Sequence, residues 1–331
     1  MMSATGLHPA EDQRGRVHGF PLWPAVAAVD HEASTPILEA ALDWLAANLR
    51  WFDPAQWDRF LPARQFPEGA ALELLVLCRV LCRGRWRDHP LVDGATGLAR
   101  TLVEAAAFHD ALGRADDKFT YRAYLVALLA DLGFPIPSAA QRVRTVLETG
   151  CGGRDGAWHP PLSRLELRYA LELGRFPHTL PPMDELVGAT IAAAEPDPIW
   201  LRDDEVYALT HVVFYATDFA ARPLRTAPAL VATMRTLLGT YLAAGDMDLA
   251  GELMLCLLAV TQDDSAITAH GWQTLTRRRL ADGAVPGPLF DPIRLSGLSG
   301  PVAEAYTFGT CHHTTMVAAM AAAERERHRA R

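Results

Sequence analysis

Residues 203–219 read DDEVYALTHVVFYATDF, a helix-length run whose polar and aromatic residues stand where a packed helix carries apolar ones. Tyr207, His211, Tyr215 and Asp218 fall at i, i+4, i+8 and i+11, and about 3.6 residues per turn places them on one stripe. Leu209, Val212, Val213 and Ala216 fill the flanks, so most of the helix reads as buried. A buried polar group without a partner costs roughly 1–3 kcal/mol. A line of two phenols, an imidazole and a carboxylate therefore needs partners or a wet cavity, and the pattern is read here as a cavity.

Outward from that stretch the chain shows helix-length apolar-periodic segments punctuated by Pro, Gly and Asp, with no convincing alternating strand. About twelve segments can be drawn, at roughly 36–50, 67–83, 94–110, 119–131, 138–148, 161–173, 184–194, 203–219, 225–244, 246–260, 266–280 and 312–325. Thr35 and Ser138 suit helix caps, and Pro36 suits a first helical position, where its missing donor is harmless. The Gly- and Pro-rich stretch ADGAVPGPLFDPIRLSGLSGP reads as a loop before the last segment. Short connections make successive helices antiparallel neighbours. The expected fold is all-α, an α/α toroid of about six helical hairpins, with an open helical-hairpin solenoid as the alternative. In a toroid alternate helices share a ring, and the even-numbered ones carry the unusual residues. The expected organisation is a flexible arm over 1–18, one helical domain over 19–325 and a solvated charged tail over 326–331.

Composition narrows the function classes. Half of the 331 residues are hydrophobic, a fifth are charged, and the formal net charge is −8. This leaves no basic face for nucleic acid or anionic lipid. Apolar runs such as 72–80 are interrupted by Glu73 or Arg79 and fall short of a spanning helix. Arg14 and Arg16 before FPLWPAVAAVD imitate a signal peptide, but Glu11 and Asp12 precede them and Pro21 and Pro24 break the apolar part. Five scattered cysteines without zinc-type spacing fit a reducing compartment. A cytoplasmic location is expected.

The candidate residues lie on even-numbered segments. His211 is the candidate base or acid, with Tyr207 and Tyr215 beside it; its bland alternative is a packed histidine bonded to a tyrosine or carboxylate. Glu252 interrupts LAGELMLCLL and is the candidate second carboxyl group, or else half of a buried ion pair. Arg164 and Arg168, at i and i+4, are candidates to bind an anionic group. Tyr124, Asp248, His312 and His313 complete the expected substrate contacts, and adjacent helical positions about 100° apart prevent both histidines from facing inward. His211, Glu252, Asp248, His312 and His313 have the chemistry of a metal site, but HEXXH and every local ligand spacing are absent, and no resident metal is expected. Neither a phosphate loop nor a nucleotide fingerprint occurs, so no cofactor is expected.

The stretches YALTHVVFYATDF at 207–219, GDMDLAGELML at 245–255 and HHTTMVAAM at 312–320 resemble the signatures of an uncharacterised family of all-helical bacterial proteins, a domain of unknown function. Its members typically read Tyr-Ala-Leu-Thr-His, then Phe-Tyr, then Thr-Asp-Phe-Gly. Here Ala220 stands where that glycine is usual. ADGAVPG at 281–287 is loosely similar to turns in α/α-toroid cyclases. The resemblance implies a bacterial source and a setting in specialised-metabolite biosynthesis, and brings no established reaction. The leading expectation is a cofactor-independent acid–base tailoring enzyme, eliminating from or cyclising a small polar substrate, anionic or carrier-bound. A non-catalytic scaffold, partner subunit or homodimer is the alternative, and a metal-dependent hydrolase the second.

Overall fold

The computed structural model describes residues 34–150, 156–224, 226–261 and 265–330. The expected arm over 1–18 lies outside them. Among the described residues the fold is all-helical, without a strand: α1 (Ser34–Ala47), α2 (Pro54–Trp57), α3 (Gly69–Leu81), α4 (Pro90–Glu104), α5 (Ala106–Gly113), α6 (Phe119–Asp131), α7 (Pro137–Glu148), α8 (Pro161–Leu173), α9 (Met183–Gly188), α10 (Asp203–Thr217), α11 (Pro228–Ala244), α12 (Met247–Thr261), α13 (Ala266–Arg278), α14 (Pro292–Ser296) and α15 (Gly300–Arg329). No helix among them is long and apolar enough to cross a membrane.

Local chemistry sets the boundaries. Proline opens α2, α4, α7, α8, α11 and α14, where the absent N–H would have no intrahelical partner anyway. The first turn of α10 carries Asp203, Asp204 and Glu205 at the positive end of the helix dipole, and Glu205 Oε2 accepts from the Arg202 backbone N–H at 2.9 Å. Helix α11 ends at Gly245, whose φ of +77° is left-handed. The segment expected at 94–110 is two helices, because Ala105 adopts an extended conformation between α4 and α5.

Six helices form a cycle of neighbours. α3 packs on α6, α6 on α8, α8 on α10, α10 on α12, α12 on α15, and α15 back on α3. The intervening helices attach to them: α1 to α15, α4 to α3 and α6, α7 to α6, α9 to α8 and α10, α11 and α13 to α12. Helix α12 is buried from Met247 to Ala259 without an exposed face, as a helix surrounded by others requires, and its two charged residues in that span, Asp248 and Glu252, are one turn apart. It approaches α15 closely at Gly251, where a Cβ would stand 2.9 Å from Val317 Cγ1.

Two expectations are corrected at the C-terminus. The last helix starts at Gly300, not near 312, with Pro301 in its first turn, so His312 and His313 sit well inside it rather than at its N-terminus. The charged run expected as a solvated tail is partly packed over 326–328 and exposed at 329 and 330. The helix continues to Arg329, Glu326 accepts hydrogen bonds from Thr35, Arg85 and Trp86, and Arg327 donates to the Ala220 carbonyl.

Candidate active site

All six helices of the cycle line one cavity of about 310 Å³. Its mouth carries the half-buried residues Phe66, Glu73, Tyr121, Glu166, His211 and His313. Its depth is apolar: Val76, Phe219, Met316, Val317 and Met320 are buried there. The half-buried polar groups and the buried Glu252 and Tyr124 share the cavity with these apolar side chains, which suit an apolar substituent.

His211 lies on the third turn of α10. Its Nδ1 stands 2.7 Å from the Tyr207 carbonyl. A carbonyl only accepts, so Nδ1 carries a proton and Nε2 is the ring nitrogen left for exchange with a substrate. Its ring is edge-on to Tyr215, with centroids 6.1 Å apart. The Tyr215 hydroxyl donates to Glu166 Oε1 at 2.5 Å. Burial raises the Glu166 carboxyl above its ordinary range, and the opposing hydrogen bonds from Tyr215 and Tyr121 and the His211 charge do not overcome it.

The other half of the mouth is ionic. His313 Nδ1 lies 3.1 Å from Glu73 Oε2, and its Nε2 lies 3.5 Å from Glu252 Oε1 and 3.7 Å from Asp248 Oδ2. Desolvation disfavours its charge, but Glu73, Glu252 and Asp248 together hold it well above the usual imidazole range, so His313 is an imidazolium. Desolvation likewise raises Glu73, yet the charge and hydrogen bond of His313 outweigh it and hold the carboxyl at about 2. Burial also opposes ionisation of Glu252. The His313 hydrogen bond, the charges of His211 and His313, and the Thr210 hydroxyl at 2.5 Å bring it below its ordinary value.

The structure brings together His211, Tyr215, Glu252, Tyr124 and His313 from the sequence expectations. Tyr207 and Asp248 stand behind this layer: the Tyr207 hydroxyl donates to Asp248 Oδ2 at 2.6 Å, and Thr314 donates to Oδ1 at 2.8 Å. His312 is not at the rim. It is buried, stacked on Phe308 and edge-on to Trp57, with Nδ1 on the Phe308 carbonyl at 2.9 Å and Nε2 at 3.0 Å from Arg64. Arg164 and Arg168 do not face the cavity either. Arg168 clamps the chain at the Leu180 and Pro181 carbonyls and pairs with Glu172, and Arg164 is one turn before it on the same face. Residues two apart point about 200° away from each other, so the face opposite these arginines presents Glu166 to the cavity. Sequence reasoning missed Glu166 and Glu73 as site residues. For Glu73 the available signal was a carboxylate inside the apolar run AALELLVLC on an even-numbered segment, the same signal that singled out Glu252, whereas Glu166 sits between arginines in RLELR.

A model of the family described as Domain of unknown function (DUF6895) matches residues 38–323. The chain belongs to this family. No curated protein and no solved structure matches the chain. Within this DUF6895 chain the 207–219 stretch divides its labour. Its first half supplies His211 and the Thr210 and Tyr207 hydroxyls that meet α12. Its end supplies Asp218, which accepts from Tyr169 at 2.6 Å and from Arg83 at 3.0 Å and pairs with Arg79. Asp218, Phe219 and Ala220 all have positive φ, +64° at Ala220, a backbone region that glycine enters more readily than alanine. Among the described residues of this DUF6895 chain, no three His, Cys, Asp or Glu side chains are grouped to hold a metal ion.

Proposed function

We propose that this chain is an acid–base enzyme, working without a resident cofactor in the cavity of an α/α toroid. The cycle of helix neighbours from α3 through α15 and back supports the toroid reading. His211 Nε2 is the base and Glu166 the acid. The single observation that carries the assignment is their contrast: His211 lines the cavity with Nδ1 engaged by the Tyr207 carbonyl and Nε2 as its other ring nitrogen, and Glu166 is a carboxyl that burial makes harder to ionise. An imidazole and a carboxyl facing one cavity are suited to opposite roles. In an elimination or ring closure, Nε2 takes a proton from the substrate, Glu166 gives one to the departing group, and water at the mouth restores both. His313, locked as a cation between carboxylates, acts as a fixed charge rather than as the base.

The test uses a metabolite extract of the source cells, incubated with wild type and with His211→Ala and followed by mass spectrometry. A compound consumed by wild type alone, its product isomeric or lighter by one small neutral molecule, is the expected result. Because His211 is half-exposed, the variant should unfold within about 1–2 kcal/mol of wild type. Equal consumption by both proteins, or a product gaining mass, overturns the assignment.

A further inference from the structure

The walls of the cavity select a charge. Three carboxyl groups, Glu73, Glu166 and Glu252, line it together with two histidines, and no lysine or arginine does so among the described residues. His313 is the one fixed cation of the mouth, and it faces Glu73, Glu252 and Asp248 within 3.7 Å. A negative excess therefore remains. Of the nearby guanidiniums, Arg64 lies 3.4 Å over the Trp57 ring and against His312, its charge reaching Glu73 without lining the cavity, and Arg122 pairs with Asp116 at 2.7 Å.

The same walls are aromatic. Phe66, Tyr121, Tyr124, Phe214, Tyr215 and Phe219 all border the space. Phe66 and Tyr121 stand 5.5 Å apart at the mouth with their planes tilted by 31°. The Tyr124 ring is edge-on to Tyr169, with centroids 5.5 Å apart, and the Tyr169 hydroxyl donates to Asp218. Ring faces attract desolvated cations, anions are repelled by the carboxylates, and a neutral polar ligand gains from neither.

We infer that the cavity binds a small organic cation, an amine or quaternary ammonium with an apolar substituent, its charge among the aromatic rings and carboxylates of the mouth and its substituent against Val76, Phe219, Met316 and Met320. This replaces the anionic substrate that Arg164 and Arg168 had suggested. It rests on the preceding reading only in taking this cavity as the substrate site.

Calorimetric titration of the full chain with benzyltrimethylammonium and phenethylamine, against neutral 2-phenylethanol and anionic 3-phenylpropionate, tests it. Both cations should bind at least about tenfold more tightly than the alcohol, and the carboxylate should not bind. Glu73→Gln and Tyr121→Leu should each weaken the cations about three- to tenfold without changing the alcohol. Two variants are used so that one that fails to fold does not stop the test. Failure of the cations to bind at millimolar concentration, equal affinity for the alcohol or the carboxylate, or cation affinity untouched in every folded variant overturns the inference. Turnover that depends on His211 without cation affinity leaves the acid–base reading standing and this one fallen; cation affinity retained in His211→Ala with no turnover in wild type does the reverse.

Discussion

His313 Nδ1 meets Glu73 Oε2 at 3.1 Å, joining α15 to α3 at the cavity mouth. Each partner shifts the other: Glu73 is held at about 2 and His313 well above the usual imidazole range. The Glu73 contribution to stability is complete above the ordinary carboxyl pKa and is lost as pH falls through about 2. The His313 contribution is complete below the ordinary imidazole value and is lost as pH rises through its elevated one. Glu73→Gln should therefore lower the His313 pKa, read by NMR of the ring, and weaken the alkaline loss of stability. An unchanged His313 titration would mean that Glu252 and Asp248 hold the charge without Glu73.

The adjacent histidine behaves oppositely. Burial drives His312 down to about 4, with Glu73 opposing and Arg64 reinforcing the effect. The folded protein keeps it neutral while the unfolded chain protonates, so stability should fall by on the order of 3 kcal/mol as pH drops from about 6.5 to 4. His312→Phe keeps the stack on Phe308 and removes the titration, and urea unfolding across that range should lose most of its slope. Diethyl pyrocarbonate, which attacks an accessible unprotonated ring nitrogen, should modify His211 and spare His312. Equal modification of the two would contradict the packing around Trp57 and Phe308.

These two neighbours also show where the sequence stops being informative. Helical periodicity was enough for an all-α fold and to single out α10, because Tyr207, His211 and Tyr215 interrupt a run that is otherwise apolar, but of the expected stripe only His211 and Tyr215 line the cavity, while Tyr207 meets Asp248 and Asp218 meets Arg79 and Arg83. It could not say which of His312 and His313 faces the cavity, because that depends on the rotation of α15, fixed by Phe308 against Trp44, Trp51 and Phe52. The start of α15 was hidden because Gly300 and Pro301 read as the end of a loop, although proline in a first turn is favourable. Glu166 was hidden by its neighbours: two arginines at i−2 and i+2 draw attention to the opposite face. The arginine clamp on Leu180 and Pro181 is a contact with a distant loop, which no local spacing encodes.

Below the cavity, Asp218 is the common acceptor for α3 and α8. Its side chain is 8% exposed, those of Arg79 and Arg83 are 14% and 17% exposed, and Tyr169 donates to it at 2.6 Å. Burial opposes its ionisation, but Arg79 and Arg83 hold the carboxyl below its ordinary range. Its stabilisation is present above the ordinary Asp pKa and is lost as pH falls through the lowered one. Asp218→Asn removes the charge but keeps the shape, leaving Arg79 with Asp131 and Arg83 with Glu324 as residual partners. A loss of about 2–4 kcal/mol at neutral pH is expected from urea unfolding, with a flatter acid limb. A loss below about 1 kcal/mol would show that the residual partners suffice.

Gly251 offers a way to alter the cavity without touching its polar layer. A Cβ there would stand 2.9 Å from Val317 Cγ1, closer than such atoms approach, so one of them must move. Val317 is buried but borders the cavity, and the open side is the direction free to accept it. Overpacking a tight core costs about 1–3 kcal/mol, while replacing an interior helical glycine by alanine returns about 1 kcal/mol. With the cavity absorbing the displaced side chain, Gly251→Ala should unfold within about 1–2 kcal/mol of wild type. Its cavity should be smaller, and its affinity for benzyltrimethylammonium about tenfold weaker. A larger stability loss with unchanged affinity would place the strain in the α12–α15 backbone instead, and a crystal structure of the variant would show which element had moved.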